Sequence, residues 1–476
     1  MGLISQKLPG MEAQLAASSR DPFAADTRHI AIVGAGYAGT MLAWHLHQLA
    51  SAREMRVSLI DPGAGISLGL AYSTDDPSHL LNVPASRMSA LVDAPRDFID
   101  WCQARRILER EKDGFVPRRV FREYVLERFA GQLSAPAPGA TVGVINDSVS
   151  AIRQAAAMSF AISLHSGIEL QADAVVLATG NQPPLVPEAF RALSDTQPER
   201  VSAALHQGWA DRIEQDDRVI LAGTGLTMVD AALTLQSRGH RGELIAISRR
   251  GLLPVAHRKD WRGVRPTQVP LEPARGCLSM LQTLRNAVRE GERWDALLAG
   301  MRREISALWT TMPPAEKQRF LRHLRTIWDV HRHRMAPASA SAIRTMQESG
   351  TLKIIAGTFS DASALAGDRI SVSYRARGTD EMRSVEGQRL VLCTGPDTSL
   401  VASPLLAQMQ REGLLCADPN DLGVKAMPSG KLLNARGESD LHLYAIGSLL
   451  RGTLWECTAI PDLRGYVSSM AKTLLT

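Results

Sequence analysis

The alternation of apolar and polar positions predicts a βαβ unit near the amino end of the chain. From His29 the sequence runs HIAIVGAGYAGTMLAWHLHQLA, where a short apolar run is followed by three glycines and then by apolar residues at helical spacing. A second apolar run from Val57 to Ile60 ends in Asp61. Strand, glycine turn, helix and strand in this order are typical of the first half of a nucleotide-binding fold.

The same pattern returns in the middle of the chain. Val219 begins the stretch VILAGTGLTMVDAALTLQSRGHRGELIAISRRG, which again contains an apolar run, a glycine turn, a helical segment and a second apolar run. Residues 280–346 are rich in Arg and Leu and predict helices, which Pro313 and Pro314 interrupt. Strands are predicted again for LKIIAG, ISVSYRAR and RLVLCTGP, and a last helix is predicted from about Pro461 to Leu475.

These elements predict an α/β fold with two Rossmann-like dinucleotide-binding domains and a helical insertion. Residues 1–26 show little periodicity and are predicted to form a mobile leader. The first domain is predicted to consist of residues 27–210 and 366–476. The second is predicted over residues 211–365, with the helical insertion at 271–346.

Composition narrows the classes of function. The chain is 45% hydrophobic and 22% charged and has no low-complexity tract, as in soluble globular proteins. A formal net charge of +5 over 476 residues is too weak to indicate nucleic acid, although an anionic small ligand stays open. The five cysteines lie far apart, without a CxxC pair, and no apolar stretch predicts a membrane span. We expect a cytoplasmic protein without a metal, a nucleic-acid partner or a membrane partner.

The first glycine motif predicts a dinucleotide site. Gly34 would permit the tight turn, Gly36 would let the backbone approach a pyrophosphate, and Gly39 would allow close packing of helix on strand. Asp61, about 20 residues further on, is placed to accept hydrogen bonds from a ribose. The alternative is a purely structural glycine turn in which Asp61 caps a strand.

The second glycine motif departs from the first. Gly223 and Gly225 are present, but Met228 stands where a third glycine would be. Arg249 and Arg250 follow the second strand in place of an acid. A guanidinium binds a 2′-phosphate that a carboxylate would repel, so this motif favours NADP(H) over NAD(H). The alternative is that both arginines are solvated charges at the end of a strand.

Two such units in one chain suggest FAD in the first and NAD(P)H in the second, with hydride passing between them. The order of GAGYAG, ATGNQPP, GTGLTMVD with SRRGLLP, and LYAIGS resembles the flavoproteins with two dinucleotide-binding domains, a class that includes flavin-dependent monooxygenases. Three longer strings resemble the FAD-NAD(P)-binding family more narrowly: GLAYSTDDPSHLLNVPASRMSAL at 69–91, WDVHRHRMAP at 328–337 and GTLWECTAIPDLR at 452–464. One activity in that family is FAD-dependent urate hydroxylation.

The resemblance implies further contacts to FAD, namely His79, Asn82, Thr179, Gly180, Gly447, Ser448 and Thr458. His79 and Asn82 fall in a loop that such proteins bring against the flavin. Ser448 stands where the wider class has an aspartate that holds the ribityl chain, and its hydroxyl can donate or accept one hydrogen bond there. Thr458 is expected to cap the last helix, with Pro461 in its first turn.

The basic cluster at the end of the helical insertion yields the catalytic candidates. His331, His333 and Arg334 are expected to bind an anionic substrate or a cofactor phosphate, with a solvated helix face as the alternative. Trp455, Glu456 and Cys457 are expected to form a loop near the flavin ring. Glu456 is a candidate polar group there, with a surface carboxylate as the alternative. A metal site is not favoured, because no third ligand accompanies the His-x-His pair.

The leading hypothesis is an FAD-dependent NAD(P)H monooxygenase that uses O2. If the activity of the resembling family transfers, the small anionic substrate is urate, converted to 5-hydroxyisourate through a flavin C4a-hydroperoxide. The first alternative is a flavin-linked reductase that passes electrons to a quinone or a protein acceptor. The second is a non-catalytic flavin-binding sensor. The sequence leaves the oligomeric state open.

Overall fold

The structure is a computed structural model of the chain. It describes residues 27–476 except for 50–53, 64–65, 67, 110–111, 135–138, 156–157, 205, 207 and 259. The predicted leader, residues 1–26, therefore lies outside the described residues.

Apolar runs form strands in both halves of the chain. The strands of the described residues are β1 (Arg28–Val33), β2 (Met55–Asp61), β3 (Ala140–Asn146), β4 (Val149–Gln154), β5 (Phe160–Leu164), β6 (Glu169–Ala172), β7 (Ala174–Leu177), β8 (Val201–Ala203), β9 (Val219–Ala222), β10 (Leu244–Ser248), β11 (Leu352–Ala364), β12 (Ile370–Ala376), β13 (Met382–Gly387), β14 (Arg389–Leu392) and β15 (Leu443–Ala445).

The first sheet is parallel and has the strand order β15-β7-β1-β2-β3. The neighbouring strands β1 and β7 contain continuous apolar runs, because both faces of the sheet are covered there, and Ile30 and Ile32 in β1 are completely buried. Strands β4, β5 and β6 form a separate antiparallel sheet, and in the chain they lie between β3 and β7. Since parallel strands end at the same edge, the segments after β1, β2, β7 and β15 lie along one edge of the first sheet.

The second sheet has the order β13-β12-β11-β10-β9-β14-β8 and is parallel from β11 to β8. It includes β8 and the strands from β12 to β14, which the predicted boundaries at 210 and 366 place in the first domain. β14 lies between β9 and β8, with Leu390 beside Ile220 and Val201. The domain boundaries predicted from sequence therefore do not match the extent of the second sheet, because an apolar run does not show which strand it will pair with.

Helices connect the strands and form the insertion. The α-helices of the described residues are α1 (Tyr37–Leu49), α2 (Asp97–Ala104), α3 (Arg118–Arg128), α4 (Arg191–Thr196), α5 (Leu226–Ser237), α6 (Gly276–Arg289), α7 (Trp294–Met301), α8 (Ile305–Thr311), α9 (Pro314–Arg319), α10 (Arg325–Arg332), α11 (Pro337–Glu348), α12 (Pro404–Arg411), α13 (Arg451–Leu454) and α14 (Ile460–Leu475). A π-helical segment, Phe320–Leu324, joins α9 to α10.

The helical insertion packs onto the carboxyl-terminal part of the chain. Trp309 in α8 donates its indole N–H to the carbonyl of Gly452 at 2.8 Å. Arg302 binds the carboxylate of Asp462 in the first turn of α14 through two hydrogen bonds of 2.8 and 2.9 Å. These contacts hold the insertion against the loop between α13 and α14, where the sequence analysis expects the flavin ring.

Candidate functional site

The first glycine turn leaves an open space at its centre. Gly34 has a φ of +111°, and a Cβ there would lie 2.4 Å from the carbonyl oxygen of Ala178. A Cβ on Gly39 would lie 2.0 Å from the carbonyl oxygen of Gly34. A Cβ on Gly36, by contrast, would meet no atom within 4 Å. Gly34 and Gly39 are therefore required by the backbone, whereas Gly36 leaves room for a group that approaches the turn.

Polar groups without protein partners lie along the same edge of the first sheet. The hydroxyl oxygens of Thr179 after β7 and Ser448 after β15 are buried and make no hydrogen bond within the described part of the chain. The neighbouring Gly180 and Gly447 have φ values of +67° and +83°, and a Cβ on either would meet nothing within 4 Å. Buried hydroxyls normally have partners, so the pair indicates a polar ligand at this edge.

Asp61 hydrogen-bonds the backbone at the first glycine turn, in addition to any contact with a ligand. Its Oδ2 accepts a hydrogen bond from the backbone N–H of Ala35 at 2.8 Å, and its Oδ1 accepts one from Gly63 at 2.9 Å. A carboxylate has about four acceptor positions, so some remain for a ribose. Asp61 therefore has a structural role in the turn. Its predicted contact with a ribose stays a prediction.

The second glycine turn repeats the geometry of the first. Gly223 has a φ of +127°, and a Cβ there would lie 2.4 Å from the carbonyl oxygen of Cys393. A Cβ on Gly225 would meet nothing within 4 Å. Met228, at the place of the third glycine, is completely buried in the core of the second unit. The missing glycine is therefore replaced by a packed side chain.

Thr394 and Gly395 are site residues that the sequence analysis missed. They follow β14 as Thr179 and Gly180 follow β7, and Gly395 has a φ of +83° with open space at its Cβ position. Both residues line the cleft at the second turn. The signal was present, because CTGP after an apolar strand repeats the pattern of ATGN in the first unit.

A cleft of about 1250 Å³ joins the second glycine turn to the loop between α13 and α14. Residues from both regions line it, among them Gly225 and Arg249 at one end and Glu456 and Thr458 at the other. Arginines from several elements also face this space, namely Arg249, Arg250, Arg322, Arg325, Arg377 and Arg451. The cleft therefore presents an excess of positive charge to a phosphorylated or carboxylated ligand.

The two arginines after β10 differ in their exposure and in their hydrogen bonds to the protein. Arg249 is exposed and makes no hydrogen bond or ion pair with the described residues, whereas Arg250 donates to the carbonyl of His323 at 2.8 Å. Ser248 before them hydrogen-bonds the hydroxyl of Thr224 at 2.8 Å. Arg249 is thus the freer of the two for a ligand phosphate.

His79 and Asn82 connect the two units. The His79 ring hydrogen-bonds Thr74 at 2.8 Å through Nδ1 and Thr234 of α5 at 2.8 Å through Nε2. The carbonyl of Asn82 accepts a hydrogen bond of 3.0 Å from Nε2 of His257. Both ring nitrogens of His79 are therefore engaged within the protein. Its predicted contact with the flavin has no support in this geometry, because the loop containing it packs on α5.

The basic cluster from His331 to Arg334 does not form one cationic site. His331 donates from Nδ1 to the carbonyl of Ile327 at 2.8 Å and packs edge-on against Trp294. The guanidinium of Arg334 lies 5.4 Å from the centre of the same Trp294 ring. His333 instead lines the cleft. These contacts do not bring the three side chains together around one anion, because two of them pack on Trp294 and the third lines the cleft. The binding role expected for them stays a prediction.

His333 adds no charge to the cleft at neutral pH. Burial lowers its pKa to about 4, and the neighbouring Arg332 guanidinium acts in the same direction. The imidazole is therefore neutral at pH 7. A cationic role for His333 in anion binding is not supported, and the positive charge of the cleft comes from its arginines.

Glu456 is a buried carboxylate with fixed partners. It is 5% exposed, which excludes the alternative of a surface carboxylate. Its Oε1 accepts a hydrogen bond of 2.9 Å from the Trp328 indole, and its Oε2 lies 3.1 Å from the Arg332 guanidinium. Burial acts to raise the pKa of Glu456, but the combined effects of its cationic neighbours and of Trp328 outweigh burial and lower the pKa. Glu456 therefore stays ionised and holds Arg332 in place.

The start of α14 differs from the prediction. Ala459 is the N-cap residue, and it provides no side-chain hydrogen bond, while Pro461 lies in the first turn as expected. Thr458 precedes the cap and lines the cleft. Thr458 is thus at the predicted place but not in the predicted role, since the helix begins one residue later than the capping hypothesis requires.

Asp329 is a second group that the sequence analysis missed. It lies in the WDVHRHRMAP string, lines the cleft and is 3.6 Å from Arg325. Burial raises its pKa, and this effect exceeds the opposing effects of Arg325 and Arg451. Asp329 is thus an acidic residue of the cleft with a raised pKa. The raised pKa depends on the neighbours that folding places around it, so the sequence alone does not show it.

Metal-binding groups and membrane-spanning helices were looked for in the described residues alone. Among the described residues, no group of three or more His, Cys, Asp or Glu side chains is placed to hold a metal ion. No helix within the described ranges is both long enough and apolar enough to cross a membrane.

Comparison with known proteins supports the predicted fold. Residues 31–182 match the model of a family described as FAD-NAD(P)-binding, which is less than half of the chain. This segment contains the first glycine turn, Asp61 and Thr179. The match supports the predicted FAD-NAD(P)-binding family over this segment. A search of curated protein sequences gives no significant match.

Several solved hydroxylases and monooxygenases have a similar fold. The ornithine N-hydroxylase of Kutzneria sp. 744, solved with reduced FAD, NADP⁺ and L-ornithine, is 16% identical at a TM-score of 0.64, over 94% of this chain and 99% of that chain. The L-lysine 6-monooxygenase of Pseudomonas syringae is also 16% identical at a TM-score of 0.64, over 94% and 100% of the chains. The cadaverine monooxygenase of Erwinia amylovora, solved with FAD, is 13% identical at a TM-score of 0.64, over 94% and 93%. The predicted α/β fold with two Rossmann-type units is confirmed.

Proposed function

We propose that this protein is an FAD-dependent NADPH monooxygenase, with FAD at the first glycine turn and NADP(H) at the second. One observation carries the proposal. The chain builds the same turn twice, each with open space at its second glycine, and one cleft runs from the second turn to the loop between α13 and α14. The fold shared with solved flavin monooxygenases agrees with this arrangement.

The residues at the edge of the first sheet fit FAD. The strand order β15-β7-β1-β2 arranges Ser448, Thr179, Gly36 and Asp61 in a row along that edge. A long dinucleotide needs partners in such a row: an acid for the ribose, an open glycine for the pyrophosphate, and hydroxyls toward the flavin. The buried unpartnered hydroxyls of Thr179 and Ser448 would then gain hydrogen bonds.

The second unit fits NADP(H). Gly225 would admit the pyrophosphate, and Arg249, which has no partner among the described residues, would bind the 2′-phosphate. The other arginines of the cleft provide a positive field along the path to Glu456. β10 ends in Ser248 and not in a carboxylate. No negative charge at this strand end would therefore repel the 2′-phosphate of NADP(H).

When bound, the flavin supplies the redox chemistry: it accepts hydride from the nicotinamide and activates O2 for transfer of one oxygen atom to a substrate. The protein supplies position and exclusion of water. Trp455 and Glu456 line the cleft and are only 7% and 5% exposed. The Arg332 guanidinium keeps Glu456 ionised, whereas Asp329, with its raised pKa, is the candidate to hold or release a proton in the cleft.

The finer hypothesis concerns the substrate. Urate comes from the family resemblance alone, and the arginine-lined cleft is compatible with an anion of that kind. The structurally similar proteins act on ornithine, lysine or cadaverine, which are amines. We therefore keep urate as a hypothesis and include the amines as competing substrates in the test.

The test starts from the visible spectrum of the purified protein, where we expect the bands of bound flavin. Under nitrogen, NADPH should bleach these bands, and admission of O2 should restore them. Steady-state NADPH oxidation is then measured with urate, ornithine, lysine and cadaverine, together with analysis of hydroxylated products. Stimulation of NADPH oxidation by one substrate, coupled to its hydroxylation, supports the proposal.

Two other outcomes identify the alternatives. Rapid anaerobic NADPH oxidation with an added quinone, together with uncoupled H2O2 as the product in air, indicates a flavin-linked reductase. Tight FAD binding without bleaching by NADPH indicates a flavin-binding sensor. A protein that stays colourless after incubation with FAD refutes the proposal in all its forms.

A further inference from the structure

The helical insertion encloses an apolar pocket of about 550 Å³. Helices α6, α7, α8 and α10 and the π-helical segment form its walls, and Trp455 closes one side. Aliphatic side chains from α6 and aromatic rings from the other walls face the space. Ligand pockets for small molecules commonly have volumes of about 300–1,000 Å³, so the size suits a bicyclic molecule or a chain of similar volume.

Helix α6 explains why the pocket is open. Its apolar residues recur at helical spacing, as in a helix that packs its whole face on a core. Met280, Leu281 and Leu284 all line the pocket, yet each is only half-buried. Cys277, at the start of the same face, is buried at 5% exposure. The apolar face is thus covered at its first turn and faces an open cavity over the next two turns.

Aromatic rings dominate the opposite wall. Trp309 and Trp455 are stacked with ring centres 4.7 Å apart, and Phe320 packs edge-on against Trp455 with ring centres 5.2 Å apart. Trp294 and Trp328 complete this wall. Such surfaces favour flat, ring-containing ligands, because offset and edge-to-face ring pairs add to the gain from apolar burial.

Trp455 joins the pocket to the cofactor cleft, because it lines both. Its backbone has a φ of +61°, a strained value for a residue with a side chain. Its indole N–H is buried and makes no hydrogen bond with any described residue. A strained residue with an unsatisfied donor between two cavities indicates a functional position in the wall rather than ordinary core packing.

Two arginines give the pocket its charge. Arg285 and Arg289 on α6 line it and are exposed. Arg285 makes no hydrogen bond or ion pair with the described residues, and Arg289 donates to Asn286 at 3.2 Å. No acidic side chain lines the pocket within the described part of the chain. The pocket therefore combines an apolar interior with free positive charge, which complements an apolar molecule with one anionic group.

We propose that this pocket binds the substrate, and that the substrate is a ring-containing, mostly apolar carboxylate whose carboxylate reaches Arg285. The inference rests on the proposed function, since it places the substrate across Trp455 from the cofactor cleft. This class of substrate is a third candidate beside urate and the amines, and the pocket favours it because it offers few polar groups to a purine and no carboxylate to an amine.

The test uses 2-naphthoate as the probe and titration calorimetry on the oxidised holoenzyme without NADPH. We expect binding by the wild-type protein. Leu281→Glu should weaken this binding by about ten-fold or more, because it places a carboxylate in the apolar wall. Leu278→Glu is the matched control, since Leu278 lies on the same helix, is 65% exposed and does not line the pocket. It should leave the affinity within about two-fold of wild type.

The charge of the ligand is tested separately. Uncharged 2-naphthylmethanol should bind several-fold more weakly than 2-naphthoate, and Arg285→Gln should remove this difference, because the lost interaction is charge-assisted. Absence of 2-naphthoate binding by the wild type would overturn the proposal, as would equal weakening by Leu281→Glu and Leu278→Glu. The wild-type protein could also be a dimer that Leu281→Glu separates, with no binding of 2-naphthoate. This result would assign the apolar face of α6 to contact with a second copy of the chain, and it would overturn the proposal.

The two proposals fail in distinguishable ways. Naphthoate binding is measured without turnover, while flavin content and bleaching by NADPH test the cofactor sites. A colourless protein that binds 2-naphthoate would retain the pocket as a binding site but refute its role in a monooxygenase. A flavoprotein that is reduced by NADPH but does not bind 2-naphthoate would refute the pocket alone.

Discussion

The two glycine turns solve the same steric problem, but the two units differ in the charge placed beside the turn. In both units the first glycine has a positive φ, and a Cβ on it would lie 2.4 Å from the carbonyl oxygen of the residue that directly follows another strand, Ala178 after β7 or Cys393 after β14. The backbone of the turn is therefore dictated by packing within the sheet. It carries little information about which nucleotide binds there.

The difference lies at the end of the second strand of each unit. In the first unit Asp61 accepts the N–H of Ala35 and brings a negative charge to the edge of the sheet. In the second unit a hydroxyl pair, Thr224 with Ser248, takes that place at 2.8 Å, and Arg249 comes next in the chain. Turn geometry thus identifies a dinucleotide unit, while the charge at this strand end distinguishes a ribose diol from a phosphorylated ribose.

The largest effect is expected from a matched pair of substitutions, Gly36→Val and Gly225→Val. A Cβ at either position meets no protein atom within 4 Å, so both variants should fold, but each side chain would enter the space proposed for a pyrophosphate. Gly36→Val should lose nearly all bound FAD. Gly225→Val should keep FAD and lose reduction by NADPH. Flavin absorbance and anaerobic bleaching measure the two losses.

The pair contains its own control, because each variant tests the site that the other leaves intact. Circular dichroism melting of both variants checks that the fold is retained. Normal flavin content in Gly36→Val would reject the placement of FAD at the first turn. Loss of flavin from Gly225→Val with retention in Gly36→Val would reverse the assignment of the two units.

Local patterns predicted the elements well because the forces that form them are local. The strand ending at Asp61, the start of the second unit at Val219 and the helix beginning near Pro461 all agree with periodicity and with glycine and proline positions. Pairing between distant strands is different. The run RLVL in β14 joins the second sheet because Leu390 lies beside Ile220 and Val201, which come from strands much earlier in the chain.

The sequence also did not show which neighbours the side chains contact in the folded chain. The interpretation of His331, His333 and Arg334 as one site rests on their proximity in the sequence, but His331 and Arg334 pack on Trp294 whereas His333 lines the cleft. The apolar pocket was missed for a related reason. Leu281 and Leu284 fit a core-facing pattern, and nothing in the spacing shows that the wall opposite them leaves a cavity.

A smaller effect is expected from Arg249→Ala, which removes the charge that distinguishes the second unit. A charged hydrogen bond contributes about 1.5–3 kcal/mol, so the KM for NADPH should rise roughly ten- to hundred-fold while that for NADH changes little. Steady-state kinetics with both nucleotides measure this. Arg241→Ala, on an exposed arginine of the same unit outside the cleft, is the control. Equal changes for NADPH and NADH would show that Arg249 does not bind the 2′-phosphate.

The smallest effect concerns the contact between the units. Burial, and next the Arg334 guanidinium, lower the pKa of His257 to about 4, against about 6.5 when unfolded. The unfolded chain therefore binds a proton first as the pH falls, and between about pH 6.5 and 4 stability decreases, by about 1.4 kcal/mol at pH 5.5. His257→Gln should reduce the drop in melting temperature between pH 7.5 and 5.5, whereas His206→Gln, on an exposed histidine, should not. Identical drops in His257→Gln and wild type would contradict a neutral His257 that donates to Asn82 across the two units.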